Sequence, residues 1–96
     1  MDFDWTNMPQ AIDETNVSRQ EIEESFEDPF AVKLLPDSPR FSVQARYFNL
    51  GVSTSGKGIF SVYRTNGKVT RVIFARQFTP EERFFYQKKM NELLAE

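Results

Sequence analysis

Arg71, Arg76, Glu82 and Tyr86 fall within one stretch near the end of the chain, Arg71-Val72-Ile73-Phe74-Ala75-Arg76-Gln77-Phe78-Thr79-Pro80-Glu81-Glu82-Arg83-Phe84-Phe85-Tyr86. Arginines, a carboxylate and a phenol suffice to bind and polarise a phosphodiester. Metal-free cleavage of RNA by its own 2′-hydroxyl needs a base, cations that stabilise the phosphorane, and an acid for the 5′-oxygen. Arginine suits the cationic role because its planar fork holds two phosphate oxygens at once. Arg46, Arg71 and Arg76 are the candidates for it. Glu82 is a candidate base and Tyr86 a candidate proton donor or stacking ring. Lys57 and Arg83 are candidate contacts to RNA.

Each of these residues also has a plain structural use. Arginines on an exposed sheet face can pair with acidic helices. Glu82 stands three residues after Thr79, the spacing of a reciprocal helix cap. Tyr86 begins an apolar stripe that continues with Met90, Leu93 and Leu94. Lys57 lies in the polar connection Ser53-Thr54-Ser55-Gly56-Lys57-Gly58 and can simply be solvated. Gly56-Lys57-Gly58 lacks the spacing and the strand-to-helix setting of a phosphate-binding loop. Exposed Phe84 or Phe85 beside Arg83 would suit a base or, preferably, a protein partner.

The elements that must position these groups can be read from local signals. Phe3-Asp4-Trp5 reads as a short strand or an extended start, and a short helix is expected from about Asn7 to Thr15. Ser18 with Glu21 forms a capping box, and Val17 with Ile22 a hydrophobic staple, for a second helix that Asp28-Pro29 ends. Strands are expected from Phe30 to Leu35, from about Val43 to Val52, from Ile59 to Thr65 and from Val69 to Arg76. Pro36-Asp37-Ser38-Pro39 makes a turn. Asn66-Gly67 predicts a tight hairpin that opposes Arg64 with Val69, Val62 with Arg71, Phe60 with Ile73 and Ile59 with Phe74. Arg71 and Arg76 differ by five, so an ideal strand points them to opposite faces unless a bulge or the strand end re-aims one. Phe48, Phe60 and Phe74 read as core. Thr79, Pro80 and Glu82 start the last helix. The expected architecture is α+β: an antiparallel sheet of about four strands, two N-terminal helices and one C-terminal helix, with the helices on one face.

Bulk properties set the bounds. Ninety-six residues make one domain, 1–96, with 40 % hydrophobic residues and ten phenylalanines for its core. There is no cysteine and no histidine, which removes disulfides and the usual zinc ligands from consideration. No cofactor is implied. No apolar run approaches the roughly 20 residues of a membrane span, and the acidic start at Asp2 and Asp4 is unlike a signal peptide. A soluble cytoplasmic protein is the expectation. The net charge of −2 conceals a division: residues 1–39 hold ten acids and two bases, while residues 40–96 hold ten bases and four acids. Such asymmetry marks an anion-binding face or two halves that attract each other.

The chain resembles the BrnT family of type II toxins, small ribonucleases related to RelE. Phe3-Asp4-Trp5 is similar to the family's "F-x-W/D" opening. Val17-Ser18 through Phe26-Glu27-Asp28-Pro29 is similar to "V-S-x-E-E-A-x-x-V-F-x-D-P". Ala45-Arg46-Tyr47-Phe48-Asn49-Leu50-Gly51 resembles the "E-x-R-F/Y-x-x-I-G" strand. Val62-Tyr63 followed by Arg71 to Arg76 resembles the "V-V-Y…R-I-I-S-A-R" hairpin, and Glu82-Arg83 with Tyr86 matches "E-R-x-x-Y". The likeness spans nearly the whole chain in order. It implies a RelE-like fold, metal-independent ribonuclease activity that inhibits translation, and use of Arg46, Arg71 and Arg76. It also implies a BrnA-like ribbon-helix-helix antitoxin as partner, with oligomers formed only through that antitoxin. Two departures stand out. Where the family carries "K-H-G", this chain reads Glu14-Thr15-Asn16, and Phe74 replaces a usual serine. A BrnT-like module that binds protein or nucleic acid without catalysis is the alternative.

Overall fold

A computed structural model describes residues 2–6, 12–13, 15–34 and 46–95. The elements run β1 (Asp2–Phe3), α1 (Arg19–Glu27), β2 (Val32–Leu34), β3 (Tyr47–Val52), β4 (Gly58–Thr65), β5 (Val69–Gln77) and α2 (Pro80–Leu94). They form an α+β fold around one five-stranded sheet of order β1-β5-β4-β3-β2. β2 to β5 make the expected antiparallel meander. β1 adds a fifth strand parallel to β5, so the sheet is mixed rather than antiparallel throughout. Two helices stand among the described residues. The helix expected from Asn7 falls mostly outside them, and none of its described members Ile12, Asp13 and Thr15 is helical. The turn at 36–39 and the expected strand start at 43–45 lie outside the described residues as well.

Both helix starts follow the sequence signals. The Ser18 hydroxyl accepts from the Glu21 N–H, and the Glu21 carboxylate accepts from the Ser18 N–H. Thr79 and Glu82 repeat the arrangement at α2. Two orphan amides at each helix start are thereby satisfied.

The two helices lie on opposite faces of the sheet, not on one. Alternation along β4 sends Ile59 and Tyr63 to the first face, where they meet Val72 and Ala75 of β5 and Val17, Ile22 and Phe26 of the α1 region. Phe26 packs edge-on against Phe3 and Tyr63. This is the buried core. Gly51 lets α1 settle onto β3: a Cβ there would come within 1.9 Å of the Ser25 carbonyl oxygen. Buried Asn49 donates to that same carbonyl at 3.3 Å and accepts from Lys33 Nζ at 3.0 Å.

The second face carries Phe48, Leu50, Phe60, Val62 and Phe74. α2 crosses only one end of it. Phe78 lies over Gly58, and Tyr86 packs against Phe78 with ring centroids 5.6 Å apart. Phe48, Phe60 and Phe74 are consequently half-buried floor rather than core, because among the described residues no helix lies above the other end of this face. No helix among the described residues is long and apolar enough to cross a membrane.

Candidate functional site

The hairpin register decides which arginines can act together, and it differs from the expected one. Asn66 Oδ1 accepts from both the Lys68 and Val69 N–H groups, at 2.9 Å each, and Gly67 takes φ +90°. That side-chain cap lengthens the turn, so Thr65 opposes Thr70 and Arg64 opposes Arg71. A β-bulge then shifts the pairing once more: Tyr63 opposes Val72 while Val62 opposes Phe74, and Ile73 is the extra residue. Phe60 comes to oppose Arg76.

The bulge reverses the alternation between Arg71 and Arg76. Directly opposed residues share a face, so Arg71, across from Arg64, and Arg76, across from Phe60, both project from the open side of the sheet. Arg46 stands one residue before β3. The Tyr47–Tyr63 pairing, continued by one step, would set it opposite Arg64. Arg64 and Arg71 are thus directly opposed at the hairpin end, and continuation of the β3 register would add Arg46 to their row. Arg76 stands apart, four positions along β4, about 13 Å away at the ordinary strand rise. Arg64 is the residue that sequence reasoning missed. Its signal was present, since it continues the Phe60, Val62 alternation on β4.

Arg76 is the most tightly held of the four. Its Nη1 and Nη2 donate to the two carboxylate oxygens of Glu82 at 2.7 and 2.9 Å. Its guanidinium stacks over the Phe60 ring, 4.5 Å from the centroid. The Glu82 hydrogen bond raises the arginine's pKa against the opposing effect of burial. For Glu82, burial works to raise the pKa, but hydrogen bonds from Arg76 and the Thr79 N–H outweigh it and hold the carboxyl below its usual range. Glu82 therefore serves as cap and as partner to Arg76 at once.

Arg71 donates to Asp4 Oδ2 at 2.7 Å while 63 % of its side chain stays exposed. That bond, with those from Thr6, lowers the Asp4 pKa to about 2. The Asp4–Arg71 and Glu21–Lys57 pairs show that the acidic and basic halves do attract each other. Arg64 makes no ion pair among the described residues.

Tyr86 sits elsewhere. It is buried, and its hydroxyl donates to Asp28 Oδ2 at 2.5 Å. Burial first, and the Asp28 carboxylate second, push its pKa up. The same Asp28 oxygen accepts from the Val52 N–H, and its other oxygen from the Phe30 N–H. This carboxylate ties the end of α1, the end of β3 and α2 together, so Tyr86 has a structural bond in place of an open proton-donor position. Lys57 is not a free loop lysine either. Its Nζ donates to the Asn16 carbonyl at 2.6 Å and to Glu21 at 3.1 Å. Arg83 lies over the Phe78 ring at 5.1 Å, and its neighbour Phe84 is 72 % exposed.

A small cleft of about 270 Å³ beside Arg76 is lined by Asp13, Asn16, Phe74 and Gln77, among others. Asn16 belongs to the segment where the resemblance expects a basic pair. The tertiary fold thus brings that segment to Arg76, with Thr15 bonded to Asp13 through both its hydroxyl and its N–H. Among the described residues no cluster of three or more carboxylates could hold a metal ion. Set against known proteins, the chain matches no family model and no curated protein.

Proposed function

We propose that this protein is a BrnT-like toxin that binds RNA on the open sheet face and cleaves it beside Arg76, with a ribbon-helix-helix antitoxin as its partner. The observation that carries the reading is the bulge at Ile73, which aligns Arg71 and Arg76 on one face above a floor of Phe60 and Phe74. Arg76 can exchange one Glu82 oxygen for a phosphate oxygen and stabilise charge on the phosphorane. Glu82, freed in part, would accept the 2′-hydroxyl proton as the 2′-oxygen bonds to phosphorus; the P–O5′ bond breaks to leave a 2′,3′-cyclic phosphate, and the departing 5′-oxygen takes a proton from water.

One observation favours the second reading, a module that binds without cutting. Tyr86 is committed to Asp28, and Glu82 is held in its ionised form by Arg76 and the α2 cap, so neither stands ready as an acid. The test is incubation of labelled RNA with the full chain in EDTA. Cleavage that disappears in Arg76→Ala supports the toxin reading. Salt-sensitive binding without any cleavage supports the module, and full cleavage by Arg76→Ala removes Arg76 from the site.

A further inference from the structure

The arginine row at the hairpin end is separate from Arg76 and has its own electrostatic problem. Arg64 and Arg71 are directly opposed across the β4–β5 ladder. Like charges in that position repel and destabilise a sheet. Asp4 neutralises one of them, at 2.7 Å from Arg71. Arg64 is exposed without an ion pair among the described residues, and Arg46 stands one residue before β3, beside it in register. An open depression of about 650 Å³ beside the pair is lined by Asp4, Arg64, Asn66, Val69, Arg71 and Ile73. Between this row and Arg76 lie Val62 and Phe74, an apolar strip running along the two strands.

The geometry points to a second phosphate subsite at Arg64 and Arg71, which holds the backbone of a single-stranded RNA whose bases lie on the Val62–Phe74 strip and whose reacting phosphate sits at Arg76. This rests on the RNA reading above and adds a direction to it: the strand runs along β5 from the α2 end to the hairpin end. The span of about 13 Å between the two cationic positions suits a few nucleotides of extended backbone. The half-buried Phe74 ring, lying between the two cationic positions, suits an unpaired base, whose face is free to stack. A duplex keeps its bases stacked on each other and would meet only the cations. Asp4 acts as the competitor that an incoming phosphate displaces from Arg71.

The experiment uses the full chain and a ten-nucleotide single-stranded RNA made uncleavable by 2′-O-methyl groups. Binding is followed by fluorescence anisotropy between about 50 and 200 mM salt. Arg64→Gln should weaken binding about five- to tenfold and make the slope of log K against log salt shallower by about 0.7, the value for one single-strand phosphate contact. Asp4→Asn should tighten binding severalfold by releasing Arg71. On cleavable RNA, Arg64→Gln should raise KM with kcat unchanged, whereas Arg76→Gln should lower kcat. If the wild type binds RNA and Arg64→Gln binds equally with the same salt slope, the subsite is wrong and the RNA-binding reading stands. If the wild type binds no RNA, both fall. Equal affinity for a duplex, or for polyglutamate of the same charge, would assign the row to generic anion attraction or to an acidic protein surface and overturn the proposal.

Discussion

Replacing Tyr86 by phenylalanine separates a structural hydroxyl from a chemical one. Tyr86 is 4 % exposed and its ring packs on Phe78, so the substitution keeps the ring contacts and removes one oxygen. The lost bond is a 2.5 Å donation to the Asp28 carboxylate. Hydrogen bonds to charged partners contribute about 1.5–3 kcal/mol net. Asp28 Oδ2 keeps its bond from the Val52 N–H, which limits the loss. A destabilisation of about 2 kcal/mol is expected. With a urea m-value of about 1.5 kcal/mol/M, the midpoint should fall by about 1.3 M at unchanged slope. Asp28→Ala should cost more, since the Val52 and Phe30 N–H groups lose their acceptor too, and a double-mutant cycle should recover a coupling of about 1–2 kcal/mol. The pH dependence has a defined sign. The folded phenol's pKa is raised, so its contribution is fully present below the unfolded value near 10 and is lost as pH rises through the folded one. Tyr86→Phe should abolish that alkaline loss. RNA cleavage per folded molecule should be unchanged in Tyr86→Phe. An unchanged urea midpoint, or loss of cleavage in a protein that remains fully folded, would refute the structural role.

Gly51→Ala should destabilise by about 3 kcal/mol or more, measured by urea unfolding, because the new Cβ meets the Ser25 backbone oxygen and only a shift of α1 off β3 relieves it. Glu82→Gln should cost less than about 1 kcal/mol because an amide oxygen can still accept from the Thr79 N–H, whereas Glu82→Ala should lose about a further 1 kcal/mol with the cap. The Glu82 contribution, from a lowered pKa, is present above the unfolded value near 4.3 and fades as pH falls through the folded one; acid titration of wild type against Glu82→Gln checks this. Ser61→Ala should be neutral or stabilising by up to about 1 kcal/mol in thermal unfolding, since its fully buried hydroxyl has no hydrogen-bond partner among the described residues.

Local chemistry was legible without the fold. Ser18 with Glu21, and Thr79 with Glu82, define helix starts because a cap needs only a side chain and an amide three residues on. The meander of β2 to β5 followed from alternation and turn residues. The exposed Phe84 was also foreseeable from its place beside the apolar stripe. The stripe itself was only half right: Tyr86 is buried, but Leu93 and Leu94 are 53 % and 65 % exposed.

The arrangement of the arginines was not legible. Their faces depend on one extra residue at Ile73 and on an Asn66 side chain that lengthens a turn, and neither changes the hydrophobic pattern that sequence reading relies on. The placement of α1 and α2 on opposite faces, the parallel pairing of β1, and the bond from Tyr86 to Asp28 join residues far apart in the chain. The sequence by itself determined the elements, their caps and the supply of cations. Only the tertiary structure decided that Arg64 and Arg71 are opposed at one end of this face, with Arg46 one residue before β3, while Arg76 is locked to Glu82 at the other. Face and register are properties of strand pairing, and pairing is settled by the packing of the whole sheet.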